Sequence, residues 1–218
     1  MAERADDEVD YSDNAGGEDN SVGRFMALSD GVFAIAMTLL ALDLKVPEVA
    51  RDAGHDAVRH ALAHQWPSYQ SYLISFYVVG VYWMRHHRLM RRLTSVNRHL
   101  MRDNILFLLF VSALPFPASL IGQYGTTDPI ALAVYGGVNA AATIMLIRLQ
   151  HDVRRDQLAP DLGVYRYLRA DSIGNLIVFL ICIPAGYVVG AKHAPYVLLL
   201  LFVSGNIVRW KFRNERTH

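Results

Sequence analysis

Long apolar stretches alternate with short charged connectors along most of this chain. The first stretch, residues 24 to 46, carries no charge from Gly31 to Leu42, and Asp43 and Lys45 close it. At about 1.5 Å per residue, Phe25 to Leu44 spans about 30 Å as a helix, the hydrocarbon thickness of a bilayer. Five further stretches predict helices near 69–83, 104–124, 129–149, 172–190 and 194–210. The second is open to continuation into the basic run after it. The polar segment from Arg51 to His64 predicts a short surface helix between the first two spans.

The first helix carries two stripes. Ala27, Gly31, Ala34, Thr38 and Ala41 recur at three- and four-residue steps and form a small face suited to close helix approach. Ile35, Leu39 and Leu42 lie beside it in a narrow sector. Asp30 lies about 9 Å along the helix from Arg24, a depth at which a carboxylate needs a protein partner or water. A structural pairing with His86 or His87 is the expectation.

Composition sharpens this picture. Hydrophobic residues make up 53% of the 218 positions and the mean hydropathy is +0.20, high for a soluble domain. Net charge is only +1, but its distribution is informative. In a six-span chain, 17 of the 21 basic residues fall on one side: two at the N-terminus, six between Arg85 and Arg102, five between Arg148 and Arg169, and four from Arg209 onward. The other side keeps Lys45, Arg51, Arg59 and Lys192. The fold class is therefore an all-α polytopic membrane protein with six transmembrane helices and both termini cytoplasmic. Arginine-rich loops beside spans need no nucleic-acid partner. The lone Cys182 excludes an intrachain disulfide. Residues 1–21 are acidic and polar, the reverse of a signal peptide, and read as a disordered tail. The spanning domain is expected over 22–211, with a basic tail over 212–218.

Candidate chemistry is sparse. His60 and His64 share a helix face, a metal-ligand spacing, but the segment reads as a short surface helix and no metal is expected there. His86 and His87 diverge by about 100° and cannot easily share a metal. No cofactor is expected. Ser29-Asp30 comes with no placed general base, which argues against an enzyme. Pro115 and Pro117 predict a kink or break in the third helix. That break and the buried ionisable groups admit a cation-coupled secondary transporter as the alternative to a channel. Against it, no pair of matching broken helices is visible.

Arg24-x-x-x-Leu28-Ser29-Asp30-Gly31, followed by Val32-Phe33-Ala34-Ile35-Ala36-Met37-Thr38-Leu39-Leu40, resembles the first-helix signature of the transmembrane protein 175 family of potassium channels. The family's motif usually has Phe where Leu28 stands. Val79-Gly80, Trp83, His86-His87, Asn104 and Pro115-Phe116 are similar to the family as well. The resemblance implies a passive channel with potassium as the permeant ion, in the single-repeat prokaryotic branch, whose members are homotetramers; six spans without organelle signals point to a prokaryotic plasma membrane. It implies a pore lined by the first helix, with Ile35, Leu39 and Leu42 as constrictions and Thr38 linked to selectivity. Arg24, Ser29 and Asp30, with Trp83, His86, His87 and Asn104, correspond to the structural motif at the helix base. Gly122-Gln123-Tyr124-Gly125 looks like part of another potassium filter, but it lacks the preceding Thr-Val and room for a re-entrant helix, and reads as a turn.

Overall fold

A computed structural model describes residues 12–50, 54–159 and 163–189. The sixth expected helix, residues 194–210, and the basic tail, 212–218, lie outside the described residues, as do residues 1–11. Seven helices account for most of what is described: α1 (Ser12–Ala41), α2 (Gly54–His64), α3 (Trp66–Met90), α4 (Arg98–Ala113), α5 (Pro115–Tyr124), α6 (Pro129–Arg155) and α7 (Gly163–Val189). α1 begins at Ser12, earlier than the expected boundary near residue 22. Extending a helix that is already nucleated costs far less than starting one, so polar residues can join its end.

Among the described residues, four segments are long and apolar enough to cross a membrane: Val22–Ala41, Arg98–Tyr124, Pro129–Arg155 and Leu168–Val188. α3 is long enough, but its polar residues keep it out of that set. Three of them, Ser71, Ser75 and Tyr82, are buried in the bundle. Ser71 Oγ donates to Ala118 O at 2.5 Å, and Ser75 Oγ to Tyr135 Oη at 3.3 Å. Tyr82 Oη donates to Asn139 O at 2.9 Å and shares a 2.8 Å bond with Thr143 Oγ1. Hydropathy counts these groups as polar, whereas the fold spends them on hydrogen bonds between helices.

The expected proline break falls at one residue. Leu114 separates α4 from α5, with Pro115 at the first position of the new helix. Leu114 N–H still reaches Val111 O at 3.1 Å, and Ala118 N–H reaches Leu114 O at 3.2 Å, so the two helices continue as one span.

α6 pairs most extensively with α7 and also packs on α4; α3 lies along α5, and α1 rests on α3 and α4. The α6–α7 approach is set by Gly136. A Cβ there would fall 2.8 Å from Phe179 O, so no side chain fits without moving backbone. Asn97 caps α4 by accepting from Leu100 N–H at 2.8 Å, and Asp128 caps α6 through Ile130 N–H at 2.9 Å. α6 ends with Gln157 at φ 52° and Leu158 N–H bonded back to Val153 O at 3.0 Å. This is the left-handed helix stop in which glycine is usual.

Candidate pore helix and its anchor

α1 is divided lengthwise. Phe25, Ser29, Phe33, Ala36 and Leu40 are buried. Their steps of four, four, three and four residues keep them on one side of a 3.6-residue helix. Phe33 sits in an aromatic cluster, 5.6 Å from the His86 ring and 5.9 Å from Phe107, while His86 and Phe107 stack at 5.5 Å. In a bilayer such packing works through dispersion contacts rather than transfer out of water.

The opposite side is bare. Ile35 is 61% exposed, Leu39 41% and Leu42 72%. Thr38 is exposed beside them, its Oγ1 donating to Ile35 O at 2.9 Å, which leaves the oxygen lone pairs unspent. Ala27, Gly31, Ala34 and Ala41 are exposed too. Both stripes seen in the sequence therefore lie on the face that one chain leaves uncovered. The face that holds α1 in place is a third one, marked by Phe25, Phe33 and Leu40.

A buried hydrogen-bond relay locks the base of α1. Ser29 Oγ donates to Phe25 O at 3.2 Å and accepts from Asn104 Nδ2 at 3.0 Å. Asn104 Oδ1 lies 2.8 Å from His86 Nε2, and because a carbonyl oxygen only accepts, that nitrogen carries the proton. One residue from each of α1, α4 and α3 is thus joined.

Asp30 belongs to a separate contact. Trp83 Nε1 donates to its Oδ1 at 2.9 Å, and His87 stacks on Trp83 at 5.3 Å. The expected pairing of Asp30 with His86 or His87 is corrected accordingly. The 100° step from Ser29 to Asp30 turns the carboxylate out of the sector that faces His86. Arg24 is exposed and takes no part in either group.

Further polar groups bind the arginine-rich end together. Arg85 pairs with Asp171 at 2.6 Å, both largely buried. Asp103, 1% exposed, accepts from Arg148 Nε and Arg102 Nε, each at 3.0 Å. Gln150 Nε2 donates to Ser172 Oγ at 3.0 Å. Sequence reasoning passed over these carboxylates; the usable signal was single acids set among arginines at helix ends. Among the described residues no three His, Cys, Asp or Glu side chains cluster to hold a metal.

The described residues thus form an all-helical membrane protein with an uncovered, uncharged stripe on its first span. The family model described as endosomal/lysosomal potassium channel TMEM175 matches residues 24–115. The chain is 44% identical over 128 residues to the potassium channel B446_29190 of Streptomyces collinus, covering 57% of this chain and 61% of that protein. It is 36% identical over 146 residues to the potassium channel Cha6605_3372 of Chamaesiphon minutus, covering 65% and 70%. The crystal structure of a lysosomal potassium-selective channel TMEM175 homolog from Chamaesiphon minutus superposes with a TM-score of 0.75 at 27% identity, over 87% of this chain and 98% of that one. The chain belongs to the TMEM175 family.

Proposed function

We propose that this chain is a potassium channel that conducts passively, as a homotetramer, through a pore lined by α1. The observation that carries this reading is the division of α1 into a packed face and a bare one. Ile35, Leu39 and Leu42 present apolar groups to whatever meets that face. Four copies around an axis would close a narrow apolar constriction, which stops ions by steric closure and dewetting. Four Thr38 hydroxyl oxygens beside it would offer partial coordination to a dehydrated cation. The Ser29–Asn104–His86 relay and the Trp83–Asp30 bond hold the helix at a fixed rotation, so that the bare face stays on the axis. Six spans, with 22–211 as the channel domain between tails at 1–21 and 212–218, both termini cytoplasmic and a prokaryotic plasma membrane, complete the proposal. Its chemistry is ion passage rather than catalysis, and potassium takes the place of a cofactor.

Potassium release from liposomes holding the purified protein tests this directly. Release that follows the potassium gradient with no sodium or proton gradient supplied is the expected result. Release that occurs only with a counter-ion moving in fixed ratio would replace the channel with a coupled transporter.

A further inference from the structure

At the end of α1 remote from the arginine-rich loops lies a cavity of about 130 Å³, where α1, α3 and α5 meet. It is the volume of roughly four waters at about 30 Å³ each, room for a small polar group. Asp43 and Lys45 both line it. They stand two residues apart, yet neither side chain forms an ion pair or hydrogen bond with another described residue. Each is free to meet a charge from outside.

The remaining wall supplies matching polar atoms. Gln65 Oε1 accepts from Tyr69 Oη at 3.3 Å, which leaves the Gln65 amide N–H groups unspent in the lining that Lys45 also shares. Ser68 donates its proton to Gly122 O at 3.4 Å and keeps its oxygen as an acceptor. Gln123 Nε2 donates to Ser119 Oγ at 3.1 Å, leaving Gln123 Oε1 as another. The cavity thus offers two kinds of unspent group: N–H donors with a positive charge, and oxygen acceptors with a negative one.

A ligand complementary to both carries an anion and an N–H cation a few bonds apart. We infer that this cavity binds a phosphoethanolamine group, with its phosphate toward Lys45 and Gln65 and its primary ammonium toward Asp43, as the headgroup of a membrane phospholipid or as the free zwitterion. A choline headgroup matches the charges but has no N–H to donate, and a glycerol headgroup has no cation for Asp43. The position, at the end of a proposed pore helix and against the two helices beside it, would let an occupant brace α1. Binding itself does not depend on the channel reading.

The test is native mass spectrometry of the detergent-solubilised full chain titrated with phosphatidylethanolamine, phosphatidylcholine, phosphatidylglycerol or free phosphoethanolamine. Phosphatidylethanolamine is expected to bind about tenfold more tightly than phosphatidylcholine or phosphatidylglycerol, a difference of about 1.4 kcal/mol. Asp43→Asn and Lys45→Ala should each remove that preference, while Lys45→Arg keeps it. Gln65→Ala, which changes no charge, gives an independent loss if a charge variant folds poorly, as judged by thermal unfolding without lipid. Equal binding of all three lipids, or a preference that survives Asp43→Asn with Lys45→Ala, would overturn the assignment. Free phosphoethanolamine binding as tightly as the lipid, and lost in the same variants, would keep the headgroup chemistry and identify the soluble zwitterion as sufficient.

Discussion

Asn104 and Ser29 are joined by a 3.0 Å hydrogen bond that no water reaches, 75 residues apart in sequence. Asn104 is fully buried and spends its other end on His86. Replacing it by Leu would leave the His86 N–H and the Ser29 oxygen without their partner. Each such loss costs about 1–3 kcal/mol. Asn104→Leu should therefore lower thermal stability in detergent by about 2–6 kcal/mol, whereas a Leu109→Ala change on the exposed side of α4 should cost under about 1 kcal/mol. Equal midpoints for the two variants would show that the relay does not hold α1.

The Arg85–Asp171 pair ties α3 to α7 with both side chains largely out of solvent. Removing one partner of a buried pair costs about 3–5 kcal/mol, while replacing both with apolar residues of similar volume is often neutral. Arg85→Met and Asp171→Leu should each destabilise strongly, and the double variant should recover most of the loss. A double variant no better than the worse single one would mean that the pair is not coupled.

Gln157 adopts a left-handed conformation at φ 52°. Such backbone strains a side chain with a Cβ by about 1–2 kcal/mol, part of which glycine returns as entropy lost on folding. Gln157→Gly is expected to raise stability by about 0.5–1 kcal/mol, and Gln157→Val to lower it. Thermal unfolding checks the sign of each.

Asp156 braces the neighbouring loop, accepting from Arg155 Nε at 2.9 Å and from Asn97 Nδ2 at 2.6 Å. Those two hydrogen bonds, Arg155 first, hold its carboxyl below the ordinary carboxylate range. Because the folded value is the lower one, the brace adds stability above the unfolded pKa of about 3.9 and loses it as pH falls through the folded value. Asp156→Asn should be less stable than the parent at pH 7, and the difference should shrink once pH drops below about 4. A gap that widens on acidification would contradict this.

The spans rich in Leu, Val and Ile were legible as membrane helices, and Pro115 marked the break at Leu114. The polar residues of α3 concealed its inward face, because hydropathy does not record that Ser71, Ser75 and Tyr82 bond to neighbouring helices. Ser29, Asn104 and Asp30 were legible in the sequence as polar residues of apolar helices. Their partners were not, since adjacent residues point about 100° apart and the rotation of α1 is fixed by Phe25, Phe33 and Leu40. Trp83 as the donor to Asp30 followed from that rotation alone.

In the proposed channel Ile35 faces the ion path. The most direct test is potassium flux from liposomes through the parent, Ile35→Asn and Leu109→Asn, the last placing the same amide on an exposed position of α4. A polar side chain at a hydrophobic constriction lowers the barrier to wetting. Ile35→Asn should carry potassium about tenfold faster or more, a barrier change of about 1.4 kcal/mol, with Leu109→Asn unchanged. Parental flux in Ile35→Asn, or an equal rise in both variants, would contradict a pore lined by this face of α1.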